Sequence, residues 1–504
     1  MSTSNKDPLF RLIKSLSKPE KRHFRLYVNR TMGDQERKFI VLFDLLDKQE
    51  AYDHEQLLKK LPGKTTKGKL SNLKRHLFKQ LLTSLRLTYI NKLIDIEIRE
   101  QLDFARILYS KGLYMESLRL LERIKDIANE HHQDILHLEI IEFQKLIESR
   151  HITRSRQVEK KMERLLEEST LRSRVTQTAS EMINLYIQIH GYYIVHGFTY
   201  TEAQVADLNQ AWRKMQPEHH HNRFADTFFE KTHRYQSYLW YRYIQLDFAG
   251  ALSHALEWVM LFEVHEPMKY KDPDLYLRSL YYLLTLLYLT GDTGQYHKYL
   301  QQLDQYVEEV EEQLNPNSQH VKFVYQNLSK LNYFFLNKDF KQAYLLSEEI
   351  FAQLSEHRDL MDDHRILLFH YKFAAAAFGY GKYELALERL HPILHQGDKL
   401  LRKDMDINAR LLELLCLYET SAFDRMSYRL ISFGRSVVKT QQATSLQLST
   451  HKMLRALLQL YPENSRPFLQ QQLIAFREKA TQPREQMFLK YLDIIAWMEK
   501  VVDG

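Results

Sequence analysis

The chain has 504 residues, of which 44% are hydrophobic and 27% charged, and its formal net charge is +7. This hydrophobic content excludes a largely disordered chain, and one hydrophobic core rarely extends past about 250–300 residues, so we expect several domains or a repeat. The sequence contains only 14 glycines and 11 prolines, too few for the many turns of a sheet-rich fold, and therefore predicts an all-α protein.

Positive charge is concentrated near the N-terminus. Residues 1–90 contain 20 lysines and arginines against 9 acidic residues, a balance of +11, whereas residues 91–504 have a balance of −4. We therefore predict two parts with these boundaries, the first of them a basic helical module. Such a module either contacts a polyanion or partner, or carries an ordinary solvated basic face.

Several features indicate a cytoplasmic protein. Cys416 is the only cysteine and lies in the apolar run "LLELLCLYE", so we expect a buried thiol and no intrachain disulfide. The first residues, "MSTSNKDPLFRLIKSL", lack the continuous apolar segment of a signal peptide. The richest apolar stretch, residues 280–289, has about half of the roughly 20 residues that a membrane-spanning helix needs.

The first predicted helix of the basic module begins with a capping box, in which Ser17 precedes Glu20 by three residues. This helix carries Lys21, Arg22 and Arg25. Two further helical segments, "ERKFIVLFDLLDKQ" and "DHEQLLKKL", follow it. Together with the helix described next, they are typical of a helix-turn-helix or winged-helix unit.

Leucines recur at helical spacing from residue 70 to residue 85 and predict an amphipathic helix that joins the core of the module. Lys74 projects onto this apolar stripe, and we expect its stem to extend along the surface towards water. Arg75, Lys79 and Arg86 lie on the opposite face, and a predicted loop with further lysines precedes the helix. The candidate polyanion-binding or partner-binding residues are Lys21, Arg22, Arg25, Lys64, Lys67, Lys69, Arg75, Lys79 and Arg86.

The segment Gly63-Lys64-Thr65 ends like a phosphate-binding P-loop, but the rest of that motif is missing. A P-loop requires a glycine five residues before the second glycine, where this chain has Leu58. It also follows a buried strand, whereas "HEQLLKKL" has the pattern of a helix. The segment is therefore predicted to be a turn.

A short pattern recurs along the rest of the chain. It consists of a helix, a polar turn with Gly or Asp, an aromatic residue, and a small residue three positions later. The clearest copy contains Gly381, Tyr383 and Ala386. The other copies contain Ala105, Gly112, Tyr114 and Ser117; Asp247, Phe248 and Ala251; Gly291 and Asp292; Asp339, Phe340 and Ala343; and Phe423.

These motifs resemble those of tetratricopeptide-repeat (TPR) helical hairpins. Small residues such as Ala374 and Ala386 permit close approach of two helices, and the aromatic residue fills the space between neighbouring hairpins. The spacing departs from the 34-residue TPR period: Tyr383 follows Phe340 by 43 residues and precedes Phe423 by 40. The resemblance implies a right-handed superhelical solenoid of long hairpins, with a period of about 40–48 residues, over residues 91–504.

The breaks between helices and the end of the solenoid are also predicted. Residues 216–222, 266–274, 314–319 and 461–467 are rich in turn-forming residues and are interpreted as loops. The segment "PREQMFLKYLDIIAWMEKVV" is predicted to form one C-terminal helix that caps the stack, because an uncovered hairpin would expose apolar surface.

Patterns for catalysis, metals and cofactors are weak or missing. His219, His220 and His221 are adjacent and have no second ligand pair at zinc-site spacing. The run 379–381, "GYG", lacks the third glycine of a dinucleotide site and is interpreted as a repeat turn. The aromatic run "YQSYLWYRY" is typical of core packing, with a binding groove as the alternative. No cofactor, metal or catalytic residue is predicted.

The resemblance to TPR proteins implies a non-enzymatic scaffold or adaptor that binds a protein or peptide on the solenoid surface. The order of the two parts also resembles that of large bacterial regulators, which place a helix-turn-helix unit before a TPR-like array. A regulator that binds nucleic acid through residues 1–90 is therefore the alternative function.

Overall fold

The computed structural model describes residues 7–31, 37–61, 66–90, 92–151, 161–199, 201–216, 227–395, 403–440 and 443–503. Within these residues the chain forms 25 α-helices and no β-strand. The predicted all-α class is therefore confirmed. The backbone divides into two compact units, residues 1–176 and 177–504, while the predicted boundary at residue 90 stays a prediction.

The first unit begins with a small helical core. Its helices are α1 (Pro8–Ser15), α2 (Lys18–Thr31), α3 (Arg37–Lys48), α4 (His54–Lys60), α5 (Lys67–Tyr89), α6 (Ile94–Ser110), α7 (Tyr114–Glu130), α8 (Asp134–Arg150) and the first part of α9 (Lys161–His196). Apolar side chains of α1 to α5 pack together, and Leu70, Leu77 and Leu81 are fully buried among them. The leucine stripe is therefore confirmed except at Leu82, which is 46% exposed. Helix α1 is absent from the sequence prediction.

Side chains cap several of these helices. The backbone N–H of Ser17 donates to Glu20 Oε2 at 2.7 Å, and the N–H of Glu20 donates to Ser17 Oγ at 3.4 Å, so the predicted capping box is present. Asp7 caps α1 by accepting a hydrogen bond from the Phe10 N–H at 3.1 Å. A proline in the first turn completes this start signal for α1.

The second unit continues as helices joined by short turns. After α9 follow α10 (Glu202–Met215), α11 (Phe228–Ile244), α12 (Phe248–Val264), α13 (Pro267–Lys271), α14 (Pro273–Thr290), α15 (Thr293–Val310), α16 (Pro316–Leu336), α17 (Phe340–His357), α18 (Asp363–Gly379), α19 (Tyr383–Leu394), α20 (Lys403–Glu419), α21 (Phe423–Thr440), α22 (Ser445–Leu457), α23 (Pro462–Lys479), α24 (Pro483–Tyr491) and α25 (Ile494–Asp503).

Three predicted loops are wrong. Residues 266–274 contain the short helix α13 and the start of α14, most of residues 314–319 lie in α16, and residues 461–467 lie almost entirely in α23. The reason is the position of the prolines: a proline occupies the first turn of α13, α14, α16 and α23, where the missing N–H removes no helical hydrogen bond. Most of the predicted loop 216–222 lies outside the described residues.

All six predicted repeat turns lie between two helices. In each, the chain reverses through one residue in the left-handed conformation: Gly112, Leu246, Gly291, Lys338, Gly381 and Ser421. Only three of these are glycines, and a side chain in this conformation is strained by roughly 1–2 kcal/mol. The small residue of the motif is fully buried in the clear copies, as at Ser117, Ala251, Ala343 and Ala386.

An aromatic pair bridges five of these turns. One ring comes from the last turn of the first helix and the other from the start of the second, with centroids 5.5 to 6.2 Å apart. The pairs are Tyr109 with Tyr114, Tyr243 with Phe248, Phe335 with Phe340, Phe378 with Tyr383, and Tyr418 with Phe423. Such pairs stabilise a turn beyond the area that they bury.

The helices of the second unit pack as consecutive hairpins, α11–α12, α14–α15, α16–α17, α18–α19 and α20–α21. The two helices of each hairpin contact each other, and the first helices of successive hairpins also contact each other, α14 with α16, α16 with α18 and α18 with α20. This is the packing expected of stacked hairpins. The right-handed superhelical path stays a prediction.

The predicted single C-terminal helix is wrong. Leu492 is extended and separates α24 from α25, and Asp493 caps α25 by accepting from the Ala496 N–H at 3.0 Å. The two helices also reach several hairpins. Tyr288 of α14 donates to the Lys490 carbonyl at 2.8 Å, and Trp497 donates through Nε1 to Glu419 of α20 at 2.7 Å.

Candidate binding surfaces

The candidate cations on α2 are largely engaged with α3. Lys21 Nζ lies 2.7 Å from Asp47, and Arg25 lies 2.8 Å from Asp44. These pairs join two helices of the small core and leave little positive charge for a partner. Arg22 is exposed, and no carboxylate of the described residues lies within 4 Å of it.

The start of α5 differs from the prediction. Lys67 and Lys69 lie in the first turn of the helix, and the predicted loop position is wrong for both. The reason is the Thr66 side chain, which accepts a hydrogen bond from the Lys69 N–H at 3.4 Å and caps the helix before the lysines. Both lysines are exposed. Lys64 lies outside the described residues.

Three candidate cations lie along the exposed face of α5. Arg75 donates to Asn72 at 3.2 Å, and Arg86 lies 3.8 Å from Asp103, while Lys79 has no carboxylate within 4 Å among the described residues. Because Arg75 and Arg86 are eleven residues apart, this row is about 16 Å long. It belongs, with the exposed Lys67 and Lys69, to the part of the predicted basic surface that a polyanion can reach.

Lys74 does not extend to water as expected. Its ammonium group donates to Asp7 and, at 2.8 Å, to the Tyr52 hydroxyl, and its side chain is 18% exposed. Burial alone would lower the pKa of Lys74, but these two hydrogen bonds outweigh burial and raise it. Lys74 therefore links α5 to the start of α1 and belongs to the core.

The second unit contains two neighbouring cavities that the sequence did not predict. The larger, of about 360 Å³, lies between the ends of α16 and α18 and the C-terminal helices, and Phe335, Phe378 and Trp497 are among its walls. The smaller, of about 180 Å³, is lined by α9, α11, α14, α16, α18, α20 and α24. Tyr288, Lys490 and Tyr491 line both cavities.

The first helices of successive hairpins form the walls of the smaller cavity because each presents a stripe at helical spacing. On α14 the stripe contains Tyr281, Tyr282, Thr285 and Leu289, and on α18 it contains Arg365, Leu368 and Lys372. Each of these helices belongs to the next hairpin in the sequence. Residues about 40 to 45 positions apart in the chain therefore come together at one cavity.

The charged residues of the smaller cavity are all basic. Arg365, Lys372 and Lys490 are among its lining residues, and none of these residues is Asp or Glu. Arg365 does have a carboxylate partner outside the cavity, Asp362, at 3.3 Å. Lys372 has none within 4 Å among the described residues; it donates to Asn332 Oδ1 at 2.5 Å.

Aromatic rings surround Lys372. Its Nζ lies 4.9 Å from the centroid of the Tyr288 ring and 5.0 Å from that of Phe335. Ring faces attract a cation but solvate it less well than water does. Burial accordingly lowers the pKa of Lys372 to about 7.

A second basic cluster lies beside Tyr325. Arg365 donates to the Tyr325 hydroxyl at 3.2 Å, and the Tyr325 ring stacks on Tyr281 with centroids 4.4 Å apart. Burial, together with the charges of Arg278 of α14 and Arg365, lowers the pKa of His190 of α9.

The aromatic run of α11 contributes both to the core and to a cavity wall, while the predicted binding groove stays a prediction. Trp240 is 6% exposed and belongs to the core, and its ring packs on His190 at 4.4 Å. Trp240 and Tyr243 also line the smaller cavity. Lys372 was missed in the sequence, although one signal was present: a lysine in the otherwise apolar and aromatic run "FHYKFAAAAF".

Three further features of the sequence are its single cysteine, its three adjacent histidines and its apolar helices. The Cys416 thiol is buried, as expected. The three adjacent histidines lie outside the described residues, and the described part of the chain holds no group of three or more His, Cys, Asp or Glu side chains arranged for a metal ion. Among the described helices, none combines the length and apolar character needed to cross a membrane.

Comparisons of this chain with protein-family models, with curated proteins and with solved structures found no match. The function proposed below therefore depends on the residues and geometry given above.

Proposed function

We propose that the chain is a non-enzymatic, cytoplasmic adaptor of the TPR-like type, which binds a protein or peptide partner on the second unit. The observation that carries the proposal is the pair of neighbouring cavities lined by the first helices of successive hairpins. A partner that spans several hairpins would place side chains in both cavities. Binding would depend on shape and side-chain complementarity, without chemistry.

The lining of the cavities supports this kind of contact. Aromatic residues bury large areas with little loss of side-chain freedom, and they dominate the energetics of protein interfaces. Phe335 and Phe378 line the larger cavity, Trp240 and Tyr282 line the smaller, and Tyr288 lines both. Each cavity suits one or two side chains of an extended peptide.

Site-specific photo-crosslinking tests the proposal. A benzoylphenylalanine placed at Leu336, which lines the larger cavity, should crosslink to a discrete partner in native lysate. The matched control is Tyr428 of α21, which is 72% exposed and is not among the residues that line either cavity. A partner captured from position 336 and not from position 428 supports the proposal. Capture from position 428 alone would place the partner on another surface and contradict it.

A nucleic-acid-binding regulator is the second candidate, because of the exposed basic row on α5. Arg75 and Lys79 have no carboxylate partner within 4 Å in the described part of the chain. Lys67 and Lys69 add charge at the start of the same helix. A row of about 16 Å matches several phosphates of a duplex, whose charges are spaced about 1.7 Å apart along the axis.

A salt titration of the full chain separates this candidate from the first. If the row binds DNA or RNA, the logarithm of the association constant for a fluorescent duplex of about 20 base pairs should fall linearly with the logarithm of the salt concentration. Replacing Lys67, Arg75 and Lys79 by glutamine should reduce the slope by up to about 3. The control replaces Lys111, Arg119 and Lys452, which are exposed cations elsewhere. Absence of binding at low salt, or equal slopes for both triple variants, removes the regulator function.

A further inference from the structure

We infer that the smaller cavity of the second unit is a binding site for an oxyanion, a carboxylate or phosphate group attached to an apolar or aromatic body. This inference rests on the proposed function, because it identifies the anion as an acidic group of the partner. It begins from the composition of the cavity wall, in which the charged side chains Arg365, Lys372 and Lys490 are all basic.

The basic character of the cavity does not reflect the composition of this part of the chain. Residues 91–504 contain more acidic than basic residues, with a balance of −4. Buried cations in proteins are normally paired with carboxylates, because an unpaired charge loses its hydration without compensation. Here the carboxylates near these cations, Asp362 and Asp493, are not among the residues that line the smaller cavity.

The cations of the cavity wall come from two helices, α18 and α24. Arg365 and Lys372 are seven residues apart on α18, which places them on the same face about 10 Å apart. Lys490 approaches from α24, with its Nζ 5.4 Å from the Tyr288 ring centroid. Lys372 lies near the same ring, at 4.9 Å. The ammonium groups of Lys372 and Lys490 therefore both lie beside the Tyr288 ring, which lines the cavity.

The neighbouring groups favour an oxyanion with an apolar body. Arg365 offers a planar guanidinium group, which binds carboxylate and phosphate through paired hydrogen bonds. Tyr281, Tyr282 and Trp240 line the cavity beside the cations and provide ring surface for the rest of the ligand. A cavity of about 180 Å³ accommodates a single acidic side chain or a small aromatic acid, but not a folded segment.

Calorimetric titration of the full chain with benzoate and with benzamide tests the inference. The two probes have the same shape and differ in charge. We expect benzoate to bind and benzamide to bind at least roughly tenfold more weakly, because a charge-assisted hydrogen bond contributes about 1.5–3 kcal/mol. Equal affinity of the two probes overturns the inference. So does the absence of benzoate binding at benzoate concentrations up to roughly 10 mM, ten times a dissociation constant of about 1 mM.

Variants identify the cavity as the site. Arg365→Gln and Lys372→Gln should each weaken benzoate binding by roughly tenfold or more, while Lys322→Gln should not. Lys322 lies on α16 of the second unit, pairs with Glu311 at 2.6 Å, and is not among the residues that line the cavity. Circular dichroism melting verifies that each variant is folded, and Arg365→Lys, which keeps the charge, should retain part of the affinity. Unchanged affinity in both cavity variants contradicts the site.

Two further probes distinguish the source of the anion and separate this inference from the proposed function. Acetyl-Phe-Glu-Phe-amide should bind more tightly than its Gln counterpart if a partner's acidic residue is the ligand, whereas tight binding of inorganic phosphate alone would identify a free anion. Benzoate binding without partner capture at position 336 would remove the adaptor and keep an anion site. Partner capture without any anion binding would keep the adaptor and remove the anion site.

Discussion

Replacing Gly379 by alanine tests the packing of one hairpin against the next. Gly379 ends α18, and a Cβ atom at this position would overlap the ring of Phe340, at the start of α17 in the preceding hairpin. The ring borders the larger cavity but also packs on Phe335 with centroids 6.2 Å apart, so a shift towards the cavity would weaken that contact. Overpacking of this kind costs about 1–3 kcal/mol.

The higher helix propensity of alanine opposes this loss of stability. Glycine to alanine in a helix normally stabilises a protein by roughly 0.5–1 kcal/mol. For Gly379→Ala we therefore expect a net destabilisation of about 1 kcal/mol, or a melting temperature lower by about 1–2 °C for a unit that extends from residue 177 to residue 504. The matched control is Gly191→Ala in α9, where a Cβ atom would meet nothing within 4 Å, and that variant should be slightly stabilised.

Thermal unfolding of the full chain, followed by circular dichroism at 222 nm, measures both changes. In the double variant Gly379→Ala, Phe340→Ala the added Cβ atom no longer meets a ring, so the loss attributable to Gly379→Ala should disappear. If Gly379→Ala is as stable as Gly191→Ala, or if the two losses simply add, the close contact between Gly379 and Phe340 does not restrict this hairpin.

Three other predictions follow from the charged groups. Asp7→Ala should destabilise the small N-terminal core by about 2–4 kcal/mol in urea unfolding, because Lys74 loses its partner and α1 its cap. Asp7→Asn, which keeps the cap, should lose less; equal losses would refute a role for the cap, and no loss in Asp7→Asn would refute a role for the ion pair. A hydrogen bond from His137, with Lys125 nearby, lowers the pKa of Glu168 to about 2. Its contribution to the free energy of unfolding, about 2–3 kcal/mol, is therefore present above its ordinary pKa near 4.5 and is lost as the pH falls towards 2. Glu168→Gln should be less stable than the parent at pH 7 and equal to it at pH 2. Burial lowers the pKa of Lys372 to about 7, so at pH 8 its amine is mostly neutral and should take up close to one proton when benzoate binds. Calorimetry in buffers of different ionisation enthalpy measures this uptake, which should vanish at pH 5.5 and in Lys372→Met.

The turns could be predicted from the sequence because their signals are local. An aromatic residue and a small residue three positions later mark the start of a helix, and the pattern located turns even where Leu246, Lys338 or Ser421 replaces the expected glycine. Prolines at helix starts are ambiguous, since the same residue also marks loops. The start of α1 is an Asp-Pro pair, and no long apolar pattern follows it to indicate a helix.

The cavities could not be predicted in the same way. Their walls combine residues from hairpins 40 or more positions apart, and which turn of one helix faces which turn of the next depends on packing. The position of Lys372 against Asn332, forty residues earlier, is an example. Spacing along one helix indicates a stripe such as Arg365, Leu368 and Lys372, but not whether that stripe faces solvent, core or cavity.

The total charge and the pairing of individual charges indicate different parts of the chain as the place where an anion would bind. The N-terminal module has the larger excess of cations, but Lys21, Arg25 and Lys74 are held by carboxylates of the same module. The second unit has no such excess, yet Lys372 lies in a cavity wall with no carboxylate. A charge that is buried and unpaired destabilises the fold until an anion arrives, whereas a paired charge gains little from one. Binding free energy should therefore be concentrated at the few unpaired cations of the second unit, and the basic row on α5 should contribute mainly a salt-dependent attraction.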